Sequence, residues 1–182
     1  MYNHSDHSFS FGYSAAQKVF EISKYGLGKG LNRSIVGKQS FVGIPIDLCK
    51  VSEKNNKKQI SNILMAGSAE KFIPWNDFSV PQFINRIFNE ETYKNRLNIT
   101  ICGPSGNEKF WKELDKSVIN KVIFTGRIAY SEYLERLSKS DCYIDSFPMA
   151  NGTSFTESVM LGIPSFGLSL YSGYSCSDIL RS

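Results

Sequence analysis

From about position 60 onward, short apolar runs alternate with segments whose apolar residues recur at helical spacing. ISNILMAG, at 60–67, predicts a strand, and the next segment has apolar residues at 80, 83, 84, 87 and 88, the period of a helix. The alternation continues with the strand-like runs RLNITICG, KVIFTG, DCYIDSF and IPSFGLS and the helix-like segments NEKFWKELDKSV, YSEYLERLSKS and TSFTESVMLG. This order predicts a doubly wound, Rossmann-like α/β domain: a parallel sheet with helices on both faces.

The first fifty-odd residues follow a different pattern. KVFEIS predicts a strand, KYGLGKGLNRS is glycine-rich and basic, FVGIPIDL has an extended pattern, and KVSEKNNKKQ is a charged run typical of a connector. This segment does not make a domain alone. We therefore divide the chain into an N-terminal extension with linker, 1–58, and the α/β domain, 59–182.

Composition narrows the class of protein. The 182 residues are 41% hydrophobic and 21% charged, as in soluble globular proteins, and no apolar run is long enough to span a membrane. The start of the chain lacks the features of a signal peptide, and the four cysteines fit no metal spacing, so we expect a cytoplasmic protein. A net charge of +4 suits a small anionic ligand and is far below a nucleic-acid footprint.

Small residues crowd the ends of four predicted strands. The segments that follow these strands are AGSAEK, GPSGNE, TGRIAYS and DSFPMANGTS. Ligands of parallel α/β sheets bind beyond the carboxyl ends of the strands, where small residues let backbone N–H groups approach a ligand. A helix that begins at GTS would point its free amides and positive dipole end at this edge. The pattern predicts a site for a phosphate or diphosphate.

Three segments carry a resemblance to a known family. DCYIDSFPMANGTSFTESVMLGIPSFGLS resembles the donor-site signature of GT-B glycosyltransferases, in particular the protein O/N-glycosyltransferase-like group. ILMAGSAEKFIP resembles the first strand and phosphate loop of the same donor domain, and VIFTGRIAYSEYLERLSKSDCYID resembles its base-recognition segment. NHSDHSFSFG resembles, less specifically, the end of the acceptor-side domain. The resemblance covers most of residues 60–170.

The resemblance implies roles for single residues. Glu157 matches the acid that holds the ribose hydroxyls, a role that suits a bidentate acceptor. Lys71 matches the cation that neutralises phosphate charge. The diphosphate would be held by the amides and hydroxyls of the loop before Glu157, the phosphate loop would close on the ligand, and two further positions would flank the base. Gly152, Thr153 and Ser154 match the donors to the diphosphate, Gly67 and Ser68 match the phosphate loop, and Arg127 and Ile128 match the positions that flank the base. Asp145 and Asn151 belong to the same matched segment.

The sequence departs from the family pattern at two positions. Related retaining enzymes carry a second glutamate eight residues before the ribose acid, and Met149 stands at that position here. This departure argues against that subgroup. The family's usual Gly-Gly after the asparagine is a single Gly152.

By this resemblance the chain would be the donor half of an enzyme that moves a hexosyl or N-acetylhexosaminyl group from a nucleoside-diphosphate sugar, UDP-linked, to a protein, peptide or glycan. The resemblance implies no cofactor and no metal. Residues 1–58 would be the end of the acceptor-side domain. We expect that domain to be mostly missing, the α/β domain to be truncated at its C-terminus, and this part alone not to transfer sugar.

Two other functions stay open. The first is a nucleotide-binding Rossmann-like module without turnover. The second, a dinucleotide oxidoreductase, has little support because no G-x-G-x-x-G follows the first strand of the α/β domain.

Simpler interpretations stay open for single residues too. Glu157 is alternatively a solvated surface acid, Lys71 an ordinary exposed lysine, and Asp145 a cap for its own loop. GPSG favours a turn over a phosphate cradle. The remaining residues fall into two sets: a potential metal or base cluster that ordinary surface residues would also explain, His4, Asp6 and His7, and a helical face that predicts core packing, Tyr130, Tyr133 and Leu137.

Overall fold

The computed structural model describes residues 2–3, 11–13, 15–28, 30, 35–46 and 59–168. The chain divides into two compact units, one made of 1–47 and 169–182 and the other of 48–168. The boundary that the sequence predicts at 58/59 stays a prediction. His4, Asp6 and His7 lie outside the described residues.

The first unit has a small parallel sheet among its described residues. Its strands are β1 (Tyr2–Asn3), β2 (Val19–Glu21) and β3 (Gln39–Phe41), in the order β1-β2-β3, and helix α1 (Lys24–Gly28) lies between β2 and β3 in the chain. The strand predicted in KVFEIS is β2. Of the described residues in the extended run FVGIPIDL, only Phe41 belongs to a strand.

The second unit is the predicted α/β domain. Its parallel sheet has the strand order β6-β5-β4-β7-β8, which confirms a Rossmann-like fold. The elements follow one another in the chain as β4 (Asn62–Ala66), α2 (Val80–Asn89), β5 (Asn98–Cys102), β6 (Val122–Gly126), α3 (Tyr130–Lys139), β7 (Cys142–Ile144), α4 (Gly152–Met160) and β8 (Ser165–Phe166).

Helices cover both faces of this sheet. Because successive side chains of a strand point to opposite faces, each strand residue packs against the helices on one side. In β4, Ile63 and Met65 pack into the core under α2, whereas Leu64 and Ala66 pack into the core under α3 and α4. A central strand buried on both faces has no place for polar residues, which explains its unbroken apolar run.

One predicted helix has a different form. The segment NEKFWKELDKSV forms a 3-10 helix at Lys109–Glu113 rather than a full α-helix. Asn85 of α2 donates from its side-chain amide to the Glu113 carbonyl at 2.8 Å and accepts from the Asp115 N–H at 3.0 Å. These bonds take backbone groups that a continuing α-helix would pair internally. The buried Trp111, 4.8 Å from the ring of Phe124, fixes the short helix against the sheet.

Candidate functional site

The loops at the carboxyl edge of the sheet approach one another closely. The Gly67 N–H after β4 donates to the Cys102 carbonyl at 3.1 Å, and the Gly103 N–H after β5 donates to the Gly126 carbonyl at 2.9 Å. Gly103 has a φ of +115°, and a Cβ there would lie 1.9 Å from the Gly67 carbonyl oxygen. Only glycine permits this approach, so Gly103 holds the first two loops together.

A cleft of about 550 Å³ opens beyond the ends of β4, β5 and β6. It contains six of the residues that the sequence assigned to a site: Gly67, Ser68, Arg127, Ile128, Asn151 and Ser154. The rest of its lining, which sequence reasoning did not assign to a site, is Ala66, Ala69, Glu70, Cys102, Gly103, Tyr130 and Tyr133. Residues more than 80 positions apart in the chain therefore meet in one cleft.

Helix α4 begins at the wall of this cleft. The Asn151 carbonyl accepts from the Phe155 N–H at 3.1 Å, while the Asn151 side-chain amide donates to the Ala66 carbonyl at 3.1 Å and to the Ser154 Oγ at 2.9 Å. Among the described residues, no acceptor bonds the N–H groups of Gly152, Thr153 and Ser154. Three free amides at the positive end of a helix are suited to bind an anion.

Asp145 organises the loop that leads into α4. Its side chain is 2% exposed and accepts from the N–H of Ser146 at 3.0 Å, the N–H of Asn151 at 3.1 Å and the Tyr143 hydroxyl at 3.1 Å. Burial raises the pKa of Asp145 to about 6, although these hydrogen bonds act in the opposite direction. Asp145 thus closes its own loop and does not line the cleft.

Lys71 lies against the same loop. Its Nζ donates to the Ala150 carbonyl at 3.0 Å and lies 3.5 Å from the Asn151 Oδ1. The ammonium group is therefore close to the start of α4, where it adds positive charge, but Lys71 is not among the residues that line the cleft.

Glu157, one turn into α4, is buried rather than solvated. It is 3% exposed, and its Oε1 accepts a hydrogen bond of 2.7 Å from the Tyr130 hydroxyl. The solvated-acid interpretation is wrong for this residue. Glu157 does not itself line the cleft; Tyr130, which does, is its neighbour there.

The tyrosines of α3 differ in environment. Tyr133 and Leu137 are buried, as their helical spacing predicts, but Tyr130 is 56% exposed, so its predicted core position is wrong. Tyr130 is the first residue of α3, where side chains reach beyond the sheet edge. Its position two residues after Ile128, which was assigned to the site, is the sequence signal that could have placed Tyr130 there too.

The Tyr133 hydroxyl is buried and has no hydrogen-bond partner among the described residues. Burial, together with the negative charge of Glu157, raises the pKa of Tyr133 well above its usual value. Two tyrosines of α3 thus border the Glu157 carboxylate, one with a hydroxyl bonded to it and one without such a bond.

The GPSG loop after β5 is a turn, as predicted. Glu108 accepts from the N–H groups of Ser105 and Gly106, both at 2.9 Å. Its side chain therefore occupies the amides that a phosphate cradle would need.

Three solved structures of glycosyltransferases have the same fold. Staphylococcus aureus TarM, in a structure with UDP, matches with a TM-score of 0.64 at 14% identity, covering 92% of this chain and 32% of TarM. The pneumococcal O-GlcNAc transferase GtfA, in complex with UDP and GlcNAc, matches with a TM-score of 0.58 at 17% identity, over 88% of this chain and 32% of GtfA. The Thermobaculum terrenum O-GlcNAc transferase matches with a TM-score of 0.55 at 12% identity, over 79% of this chain and 29% of that one.

The chain has the fold of a Rossmann-like half of a GT-B glycosyltransferase. The resemblance stated from the sequence is thereby confirmed at the level of the fold. The chain spans about a third of the length of these neighbours. No protein-family model matches the sequence, and no curated protein matches it.

A second cavity of about 490 Å³ lies beside α2 in this GT-B half. Its walls are mainly apolar, with Phe78, Phe83, Ile144 and Phe147 among them. Asp145 is at its edge, but its carboxylate is already bonded to loop amides. The cavity offers few polar groups to a nucleotide.

Within the described ranges, no group of histidine, cysteine and acidic side chains is placed to hold a metal ion. Nor do these ranges contain a helix with the length and apolar character that a membrane crossing requires.

Proposed function

We propose that this chain is the donor-binding part of a glycosyltransferase that uses a nucleoside-diphosphate sugar, UDP-linked. The observation that carries the proposal is the start of α4: three backbone amides without acceptors among the described residues begin a helix whose Ser154 lines a cleft at the carboxyl edge of a parallel sheet. An anion of diphosphate size fits this arrangement of donors and this location in the fold.

The same groups suit the chemistry of sugar transfer. When the acceptor attacks the sugar, negative charge builds on the leaving diphosphate. The amides of Gly152, Thr153 and Ser154 and the nearby ammonium group of Lys71 would stabilise that charge. The proposal requires neither a metal nor a further cofactor, because fixed donors supply the positive potential.

The nucleoside would occupy the opposite end of the cleft. Arg127 and Ile128, at the end of β6, line the cleft where a base would lie, and Glu157 is one turn beyond the diphosphate site along α4. A carboxylate accepts hydrogen bonds from two vicinal hydroxyls, which suits a ribose.

The acceptor would enter from a facing domain. Because the chain spans about a third of its structural neighbours, we propose that the acceptor site and the general base belong to another part of a longer protein. The acceptor class would be a protein, peptide or glycan. The alternative is a module that binds nucleotide without turnover.

Calorimetric titration of the chain with UDP, GDP and ADP tests the proposal. We expect UDP to bind, and Lys71→Met to weaken UDP about tenfold while leaving uridine unchanged, since a cation near the diphosphate acts on charge. Lys112→Met, a change of an exposed lysine outside the cleft, serves as the matched control. Absence of binding by all three nucleotides would contradict the proposal.

An assay for sugar transfer from UDP-sugars to peptides and glycans distinguishes the donor-binding part of an enzyme from a module that only binds nucleotide. We expect no transfer by the 182-residue chain alone and transfer once the facing domain is supplied. Binding without transfer even in the longer protein would favour the binding module.

A further inference from the structure

Tyr130 occupies the carboxylate that the proposed function assigns to the ribose. Its hydroxyl donates to the Glu157 Oε1 at 2.7 Å. Among the described residues, this is the hydrogen bond that the Glu157 side chain accepts. Tyr130 lines the cleft and is 56% exposed, whereas Glu157 is 3% exposed and does not line it. The tyrosine is therefore the group that a ligand meets before it reaches the acid.

We propose that the Tyr130 hydroxyl competes with the nucleotide's ribose for Glu157. The proposal rests on the proposed function. A buried carboxylate requires hydrogen-bond donors, and in the free protein the Tyr130 hydroxyl supplies one. When a nucleotide enters, a ribose hydroxyl takes its place, and the affinity that results is lower by the cost of breaking the first bond.

The surroundings of the two residues make this exchange feasible. Tyr130 is the first residue of α3 and is more than half exposed, and its ring lies 6.1 Å from that of Tyr133, so the exchange requires a ring at the surface to rotate. Glu157 is buried within α4, next to Tyr133, whose hydroxyl has no partner among the described residues. The exchange thus moves a surface side chain and leaves the acid in place.

Titration of the wild type and of tyrosine variants with UDP and with 2′,3′-dideoxy-UDP tests the proposal. We expect Tyr130→Phe to bind UDP about tenfold more tightly than the wild type, because the nucleotide no longer displaces a hydroxyl. Binding of the dideoxy ligand, which offers no hydroxyl to Glu157, is expected to stay unchanged. Tyr93→Phe, at a tyrosine that lies before β5 and does not line the cleft, should match the wild type with both ligands.

Three results would overturn the proposal. Weaker binding of UDP by Tyr130→Phe would mean that the hydroxyl holds Glu157 in a productive orientation. An equal change for both ligands would mean that the effect does not pass through the ribose. Unchanged UDP affinity, with Tyr130→Leu giving the same result, would mean that the two groups do not compete. If the wild type itself fails to bind UDP, the proposed function fails and this proposal with it.

Discussion

Two small-residue loops at the carboxyl edge of the sheet each have an acid that binds the loop's own amides, but they differ in which amides stay available. The loop after β5 and the loop after β7 each contain one acid that accepts hydrogen bonds from backbone amides of its own loop. Glu108 takes the N–H groups of Ser105 and Gly106, the amides that an anion would need. Asp145 takes the last amide before α4, that of Asn151, and leaves the first amides of the helix available.

The segments that follow the loops differ as well. A five-residue 3-10 helix follows the first loop, whereas the nine-residue α4 follows the second. A short 3-10 segment provides little dipole and few aligned amides, while an α-helix provides both. Glycine content therefore does not identify an anion site. The two loops differ instead in where the loop's own acid lies relative to the start of a helix.

The two acids also differ in burial. Burial acts to raise the pKa of the half-exposed Glu108, but hydrogen bonds from Ser105 and Gly106 outweigh it and lower the pKa. For Asp145, which is 2% exposed, burial outweighs similar bonds. Similar hydrogen bonds favour the charged form of both acids, but they outweigh the effect of burial on the pKa only for Glu108.

The largest effect that we expect comes from Gly103→Ala in the first loop. The new Cβ would lie 1.9 Å from the Gly67 carbonyl oxygen at a φ of +115°, so backbone must move, at a cost of about 3 kcal/mol or more in the free energy of unfolding. Gly126→Ala, at a φ of +65° with open space around it, should cost only about 1 to 2 kcal/mol. Chemical denaturation compares the two, and equal losses would contradict the role of Gly103 in packing the loops.

The second prediction concerns the pH dependence of stability. The folded-state pKa of Asp145 is about 6 against an ordinary value of 3.8, so between these values the folded protein binds the proton more tightly than the unfolded chain. The free energy of unfolding should fall as the pH rises through this window, by about 2 to 3 kcal/mol in total. Asp145→Asn keeps an oxygen for the three donors at Oδ1 but carries no charge, so it should lose this dependence.

Denaturation curves from pH 4 to pH 7 measure the difference, with Asp115→Asn at an exposed aspartate as the matched control. The stability of Asp145→Asn relative to the wild type should grow with pH, whereas that of Asp115→Asn should not. If the wild type gained stability relative to Asp145→Asn between pH 4 and pH 6, the account would be contradicted.

Glu157→Gln, in the helix after the second loop, tests the assigned ribose acid. The amide keeps the shape and an oxygen for the Tyr130 hydroxyl but removes the charge that strengthens hydrogen bonds from a diol. We expect UDP to bind about tenfold to a hundredfold more weakly. The variant should bind 2′,3′-dideoxy-UDP nearly as well as UDP, because the two changes remove one interaction. Equal affinities of variant and wild type for both ligands would leave Glu157 a buried structural acid.

The smallest effect should come from Glu108→Ala in the first loop. Losing its bonds to two partly exposed amides should lower the free energy of unfolding by about 1 kcal/mol, as for a lost capping residue. The affinity for UDP should not change, because the account assigns this loop no contact with the ligand. A loss of affinity comparable to that of Glu157→Gln would reverse the comparison between the loops.

The fold was predictable because its determinants are periodic. The apolar runs of β4 to β8 and the spacing in α2 and α3 are local signals, and each corresponds to an observed element. The 3-10 helix at Lys109–Glu113 was not predictable, because it depends on the Asn85 side chain from another helix. Its own residues have the pattern of an α-helix.

The site was predictable only in part. Small residues at strand ends predict a ligand site at this edge of the sheet, and six residues assigned through the family resemblance line one cleft there. Side-chain partners across the fold were beyond local pattern: Lys71 bonds to Ala150, and Tyr130 bonds to Glu157. Both contacts depend on how two loops or two helices meet, which spacing along one segment does not encode.

The most direct test of the account is an amide NMR titration of the isotopically labelled protein with UDP. If the free amides of α4 bind the diphosphate, the N–H resonances of Gly152, Thr153 and Ser154 should shift most, while those of Ser105 and Gly106, already bonded to Glu108, should shift little. The largest shifts at Ser105 and Gly106, or no saturable shift at the start of α4, would contradict the claim that the second loop is the diphosphate site.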